Sequence, residues 1–163
     1  SDIAVASFFV LISDRQNPNN HRGIGAGTHP ARNIALLRAL TEAVQVRTTY
    51  ISGARDDLSE REYSHDHRNR AAQETKRLLE AHLPERKFPH VPDHSSTTFS
   101  GDLDWLLAQL RKVGVVEAVM VNLSKPEFEV PVVKMIIPGL EGPDDHADYL
   151  PGQRATKRSG VKA

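Results

Sequence analysis

The sequence has no cysteine in 163 residues. Disulfides, thiolate metal sites and cysteine nucleophiles are therefore excluded. Absence of cysteine suits a reducing compartment. No secretory signal opens the chain, so a cytoplasmic location is expected. Neither charge sign is in excess, with 21 Lys and Arg against 21 Asp and Glu and a pI near 7.1. That balance argues against a nucleic-acid or membrane-surface module, which usually carries a basic surplus. No apolar run is long enough to cross a bilayer as a helix. Aromatic residues are scarce, at 6% with a single tryptophan, so aliphatic and small side chains must supply most of any core.

What is present suits one domain or a compact piece of one, and a chain of this length buries a core without staples. IAVASFFVLI (3–12) is apolar almost throughout and predicts a strand buried on both faces. It starts so close to Ser1 that a piece of a longer protein is expected. DRQNPNNHRGIGAG (14–27) predicts a loop. PARNIALLRALTEAVQVR (30–47) predicts a helix with Pro30 in its first turn and apolar residues around more than half its circumference, so it should be well buried. A polar helix is predicted over 69–83, stopped by Pro84. Another is expected over 101–113, capped by Ser100 and followed by Gly114 at a C′ position. Its Leu103, Leu106, Leu107 and Leu110 share a face. Strands follow at 115–123 and 130–137, the second ended by Pro138-Gly139. From about residue 142 the chain turns polar, ends basic and reads as a mobile tail. The expected class is α/β, a mixed sheet packed with helices.

Three constellations could carry chemistry. Gly23, Gly25 and Gly27 precede a helix, where backbone N–H groups could cradle an anion. A flexible turn is the commoner explanation of such spacing, and neither a P-loop lysine nor a third Rossmann glycine follows, since Thr28 holds that place. Arg38, Glu42 and Gln45 are spaced i, i+4, i+7 and project from one face of the long helix. They form either a solvated stripe or a site in which Glu42 binds a metal, Arg38 meets a phosphate and Gln45 assists. His29, at the start of that helix, could bind an anion or cap the helix. His65-Asp66-His67 has the look of a metal triplet, but alternate residues share a face only on a strand, and this polar segment predicts a loop or helix start.

Taken together, GIGAGTHPARNIALLRALTEAVQVRTTYISGARDD (23–57) resembles the C-terminal half of YcaO-family proteins. The family pattern joins a Gly-rich turn with a His to a helix reading A-x-x-R-A-x-x-E-x-x-Q-x-R, here Ala35, Arg38, Ala39, Glu42, Gln45 and Arg47. VPVVKMIIPGLE (130–141) looks like the family's closing strand and Pro-Gly-Leu-Glu turn. The resemblance implies the C-terminal portion of a YcaO-type domain over 1–141, with 142–163 as the tail. It implies ATP- and Mg²⁺-dependent phosphorylation of a peptide amide oxygen, which turns a poor leaving group into a good one. Azolines or thioamides are the products, and cyclodehydratase is the family's activity. It assigns Arg38, Glu42, Gln45 and His29 to cofactor binding and Glu42 to the metal, and leaves the catalytic residues open. Peptide or protein substrates and a homodimer follow from the same likeness. The end of the chain lacks the Pro-rich tail common in azoline-forming members, which points to the thioamide-forming branch and a TfuA-like partner. The acidic nucleotide-site motifs of the family's N-terminal half are not in this sequence, so this piece alone should be inactive or nearly so. A different class also fits: a non-catalytic domain that binds a leader peptide or partner, with the Leu103–Leu110 stripe as its docking face.

Overall fold

The computed structural model describes residues 2–17, 21–53, 55–57, 59–81, 86–141 and 149–159, apart from the side chains of Arg61 and Glu62. Its class is the expected mixed α/β. The described strands form two separate antiparallel pairs rather than one sheet. The chain divides into two compact units, Ser1–Leu106 and Leu107–Ala163.

The first unit is built on β1 (Ala6–Ile12), β2 (Gly23–His29) and helix α1 (Arg32–Ser52). β1 pairs antiparallel with β2, with Ala6 opposite His29 and Ile12 opposite Gly23. The loop expected over the glycines is therefore a strand. Its alternation explains why: Gly23, Gly25 and Gly27 fall on one face, buried, while on the other face Ile24 is half-buried and Ala26 and Thr28 are exposed. A Cβ added to these glycines would lie 2.0 Å from the carbonyl oxygen of Ala43, 2.1 Å from that of Ala39 and 2.0 Å from that of Ala35. Those three alanines are the fully covered residues of α1, each at 0% exposure. Glycine weakens an isolated strand, but here it lets two backbones meet with no side chain between them.

That close approach leaves most of α1 uncovered. Leu37 and Val44, expected in a well-buried helix, are 60% and 53% exposed, because only the alanine stripe faces β2. α1 starts at Arg32, two residues later than Pro30 suggested, with Ala31 as N-cap, and ends at Gly53 in the left-handed region (φ 59°). β1 is likewise shorter than expected and is covered incompletely, with Phe9 62% exposed. Helix α2 (His65–Glu80) starts earlier than expected because Ser64 caps it: its hydroxyl accepts from the His67 N–H at 3.3 Å. His65-Asp66-His67 is thus a helix start. The predicted stop at Pro84 lies outside the described residues. Arg22 ties β2 to α2, donating to the Ala71 carbonyl at 3.1 Å and to Thr75 Oγ1 at 3.2 Å, with Glu74 as its ion-pair partner. The 88–94 segment is held on the start of α1 by Arg32, which donates to the Pro89 carbonyl at 2.7 Å and lies over the Phe88 ring.

The second unit takes over within helix α3 (Phe99–Lys112). This helix closes as the sequence predicts. Gly114 is left-handed (φ 81°), and the Val115 N–H reaches back to the Leu110 carbonyl at 3.0 Å. Leu110 and Val115 are both buried, the apolar contact that accompanies this motif. Strands β3 (Val119–Asn122) and β4 (Val133–Ile136) pair as an antiparallel hairpin, and every residue in both is exposed. Pro138-Gly139 makes the expected turn, with Gly139 at φ 89° and the Leu140 N–H donating to the Ile137 carbonyl at 3.0 Å. Within the stretch expected to be a tail, helix α4 (Gln153–Ser159) forms, and Glu141 accepts from the Gly152 N–H and the Tyr149 hydroxyl, each at 3.0 Å.

Candidate functional site

α1 rises beside β2 with Glu42 one helical step from the alanine stripe, at the margin of the packed face. A Cβ on Gly25 would lie 3.0 Å from the Glu42 Cβ, so this carboxylate stem sits against the glycine strand. Its Oε2 accepts from the Ala26 backbone N–H at 2.9 Å. β2 has β1 on one side only, and Ala26 offers its N–H on the open side, where Glu42 takes it. The glycine segment and the polar helix stripe, separate signals in the sequence, meet at this bond.

Glu42 and Gln45 line one small hollow of about 190 Å³ with Val46, Thr49, Tyr50 and Arg55. Arg55, unnoticed as a site residue in the sequence, is paired with Asp57, and that hydrogen bond holds the Asp57 carboxyl below its usual range. Arg38 lies one turn before Glu42 on the same stripe, exposed to solvent and outside the hollow. His29 stands apart from both. Its Nδ1 accepts from the Ala31 N–H at 3.0 Å, which fixes the turn leading into α1 without capping the helix itself. In the neutral ring that bond leaves the proton on Nε2. Arg47 has its guanidinium 4.0 Å from Asp14, with Nε buried and, among the described residues, without a hydrogen-bond partner.

Among the described residues no group of three or more His, Asp or Glu side chains is placed to hold a metal ion. Glu42 keeps acceptor capacity after its bond to Ala26 and has the oxygen chemistry that Mg²⁺ selects. It fits as one carboxylate of a magnesium site whose other ligands are phosphate, water or groups outside these residues. The hollow is smaller than a drug-sized ligand requires. No helix among the described residues is long and apolar enough to cross a membrane.

A strand of alternating glycines packed on an Ala-striped helix, with Arg, Glu and Gln along its shoulder, is a fold-and-motif combination with known relatives. The family described as "YcaO cyclodehydratase, ATP-ad Mg2+-binding" matches residues 1–141. The chain belongs to the YcaO family. It is 35% identical over 147 residues to a protein of Rhizobium leguminosarum bv. trifolii named from the tfuA 3′ region, covering 86% of this chain and 35% of that one. A Methanothermobacter thermautotrophicus protein is 38% identical over 123 residues, covering 72% of this chain and 31% of its own. Among solved structures, the heterocyclase TruD superposes with a TM-score of 0.62 at 20% identity, covering 86% of this chain and 19% of that one. A structure described as a heterocyclase in complex with substrate and cofactor reaches 0.66, also at 20% identity. This chain therefore spans about a third of the length of the curated relatives it matches.

Proposed function

We propose that this chain supplies one wall of the nucleotide site in an ATP- and Mg²⁺-dependent enzyme that modifies peptide backbones. The observation that carries the reading is the 2.9 Å bond from the Ala26 N–H to Glu42, which fixes an acidic group at the open edge of a glycine strand. Glu42 contributes a metal carboxylate. Arg38, free of a side-chain partner among the described residues, meets phosphate bidentately. Gln45 orients what lies between them. His29 acts here through the start of α1, positioning the helix. When bound, the nucleotide supplies the phosphoryl group that makes an amide oxygen a leaving group. The residues of this chain bind it and offset its charge. Similarity to a protein named from the tfuA 3′ region supports thioamide formation with a TfuA-like partner.

The test is Glu42→Gln in the full-length protein, measured by calorimetry with Mg·ATP. The amide oxygen of Gln can still accept from Ala26, so the fold is kept while the charge is lost. Affinity is expected to fall at least about tenfold, or ~1.4 kcal/mol. An unchanged affinity removes Glu42 from the site.

A further inference from the structure

A second polar cluster lies beside the last turns of α1; its pocket shares Val46 and Tyr50 with the hollow at Glu42, but takes none of Arg38, Glu42 and Gln45. His21 stacks on Tyr50 with ring centroids 4.9 Å apart and the planes 7° from parallel. Tyr63 stands edge-on to both rings. Beside them is a pocket of about 180 Å³ lined by His21, Arg22, His67 and Arg68 together with Ile24 and Tyr50. Among the described residues its lining has no acidic side chain. Arg22 is already committed to Glu74, Thr75 and the Ala71 carbonyl. The others are not so satisfied. Among the described residues, Arg68 Nε and Tyr63 Oη are buried without a hydrogen-bond partner, and so is Arg47 Nε.

Buried donors without acceptors are uncommon in native proteins, each costing the desolvation of the group. Here the orphaned donors belong to two arginines and a tyrosine around one histidine. Burial, then the positive charges of Arg68, His67 and Arg47, lower the pKa of His21. The charges that act on His21 are cationic, from α1 (Arg47) and from α2 (His67, Arg68), while the Glu74 and Asp14 carboxylates are ion-paired to Arg22 and Arg47. What is missing is an acceptor carrying negative charge. The volume suits a single anionic group and is well below that of a drug-sized ligand.

We propose that the His21–His67–Arg68 pocket, with Tyr63 beside it, binds a tetrahedral oxyanion of the phosphate type. The Arg68 fork offers Nε and Nη donors in the geometry that phosphate oxygens accept bidentately. A proton taken up at His21 adds charge as the anion enters. Occupancy also gives the orphaned Arg68 Nε an acceptor, and it ties residue 21 on the approach to β2 to the first turn of α2 through one shared ligand.

The experiment uses the full-length protein and inorganic phosphate, followed by NMR titration of the histidine ring resonances. Sodium chloride at equal ionic strength is the control, because screening alone also relieves repulsion among cations. Phosphate is expected to move the His21 titration midpoint to higher pH by half a unit or more beyond the chloride control, and Arg68→Gln to abolish that excess. Acetate separates the anion classes: a carboxylate should give little of the effect, and an equal effect overturns the assignment to a tetrahedral oxyanion. A His21 midpoint that responds no more to phosphate than to chloride overturns the site altogether. If Arg68→Gln does not fold, Arg68→Lys keeps the charge but loses the fork and is expected to weaken phosphate binding about tenfold; parental affinity in that variant also overturns it. Glu42→Gln should leave the phosphate response intact, so failure of the nucleotide-site reading and failure of this one can be told apart.

Discussion

The β1–β2–α1 core and the β3–β4 hairpin are both antiparallel and apolar, yet they bury very different shares of themselves. In the first, covered positions carry the smallest side chains, Gly23, Gly25 and Gly27 against Ala35, Ala39 and Ala43. In the second, Val119, Met120, Val121, Val133, Met135 and Ile136 are large, apolar and all exposed. Residue hydrophobicity alone would rank these regions the wrong way round. What decides burial is whether a complementary surface stands within reach. A glycine face and an alanine face complete each other, whereas the hairpin's two faces have no counterpart among the described residues.

That contrast can be broken most forcefully at Gly25. Gly25→Val would place a branched side chain where a Cβ alone meets the Ala39 carbonyl at 2.1 Å. A loss of roughly 3 kcal/mol or more in chemical denaturation is expected, at the upper end for overpacking; a loss below 1 kcal/mol would show that the two backbones can part cheaply. Arg22→Ala should come next. It strips β2 of its bonds to Thr75 and the Ala71 carbonyl and leaves the 3%-exposed Thr75 with one partner fewer. The expected cost is about 1–3 kcal/mol.

A pH dependence of stability should be weaker and confined to the first unit. The folded pKa of His21 lies below its ordinary 6.5. Between the two values the unfolded chain takes a proton that the fold rejects, so stability falls as pH drops through 6.5, and the loss is complete below the folded pKa. His21→Gln should flatten that slope in urea titrations run without phosphate. A slope that persists unchanged assigns the proton elsewhere. The smallest effect belongs to the hairpin: Met135→Thr should shift stability by no more than about 0.5 kcal/mol, as at other exposed positions. A shift of several times that size would mean the hairpin packs against something in solution, and the comparison with the core would narrow.

Periodicity in the sequence placed α1, α3 and the Gly114 stop, because these depend on local spacing and on one backbone angle. It misplaced β2, since glycine favours turns in isolation and the strand exists only through its contact with α1. The signal that could have found it was the coincidence of G-x-G-x-G with Ala35, Ala39 and Ala43 four residues apart. The polar stripe was readable as three residues on one face. Its bond to Ala26 was not, because that bond follows from the same misread strand. The His21 pocket left no pattern at all: its members come from the approach to β2, from α1, from the turn before α2 and from α2, and only the fold gathers them.

The meeting of glycines and alanines also works as a vernier. Two residues of strand advance about 6.6 Å, and four residues of helix about 6.0 Å. The chain uses these nearly equal steps in opposite directions, Gly23 with Ala43, Gly25 with Ala39 and Gly27 with Ala35. Three teeth engage before the mismatch of about 0.6 Å per step accumulates to the width of an atom. Sliding α1 along β2 by less than a full notch would drive carbonyls and Cβ atoms into the strand, so intermediate positions are barred and the next allowed one is a whole turn away. Glu42 is thereby indexed to Ala26 by a toothed rule rather than held by the single hydrogen bond between them. An insertion of one residue anywhere between Gly27 and Ala35 would have to be absorbed in the short link at residues 30–31, or the carboxylate would arrive at the wrong rung.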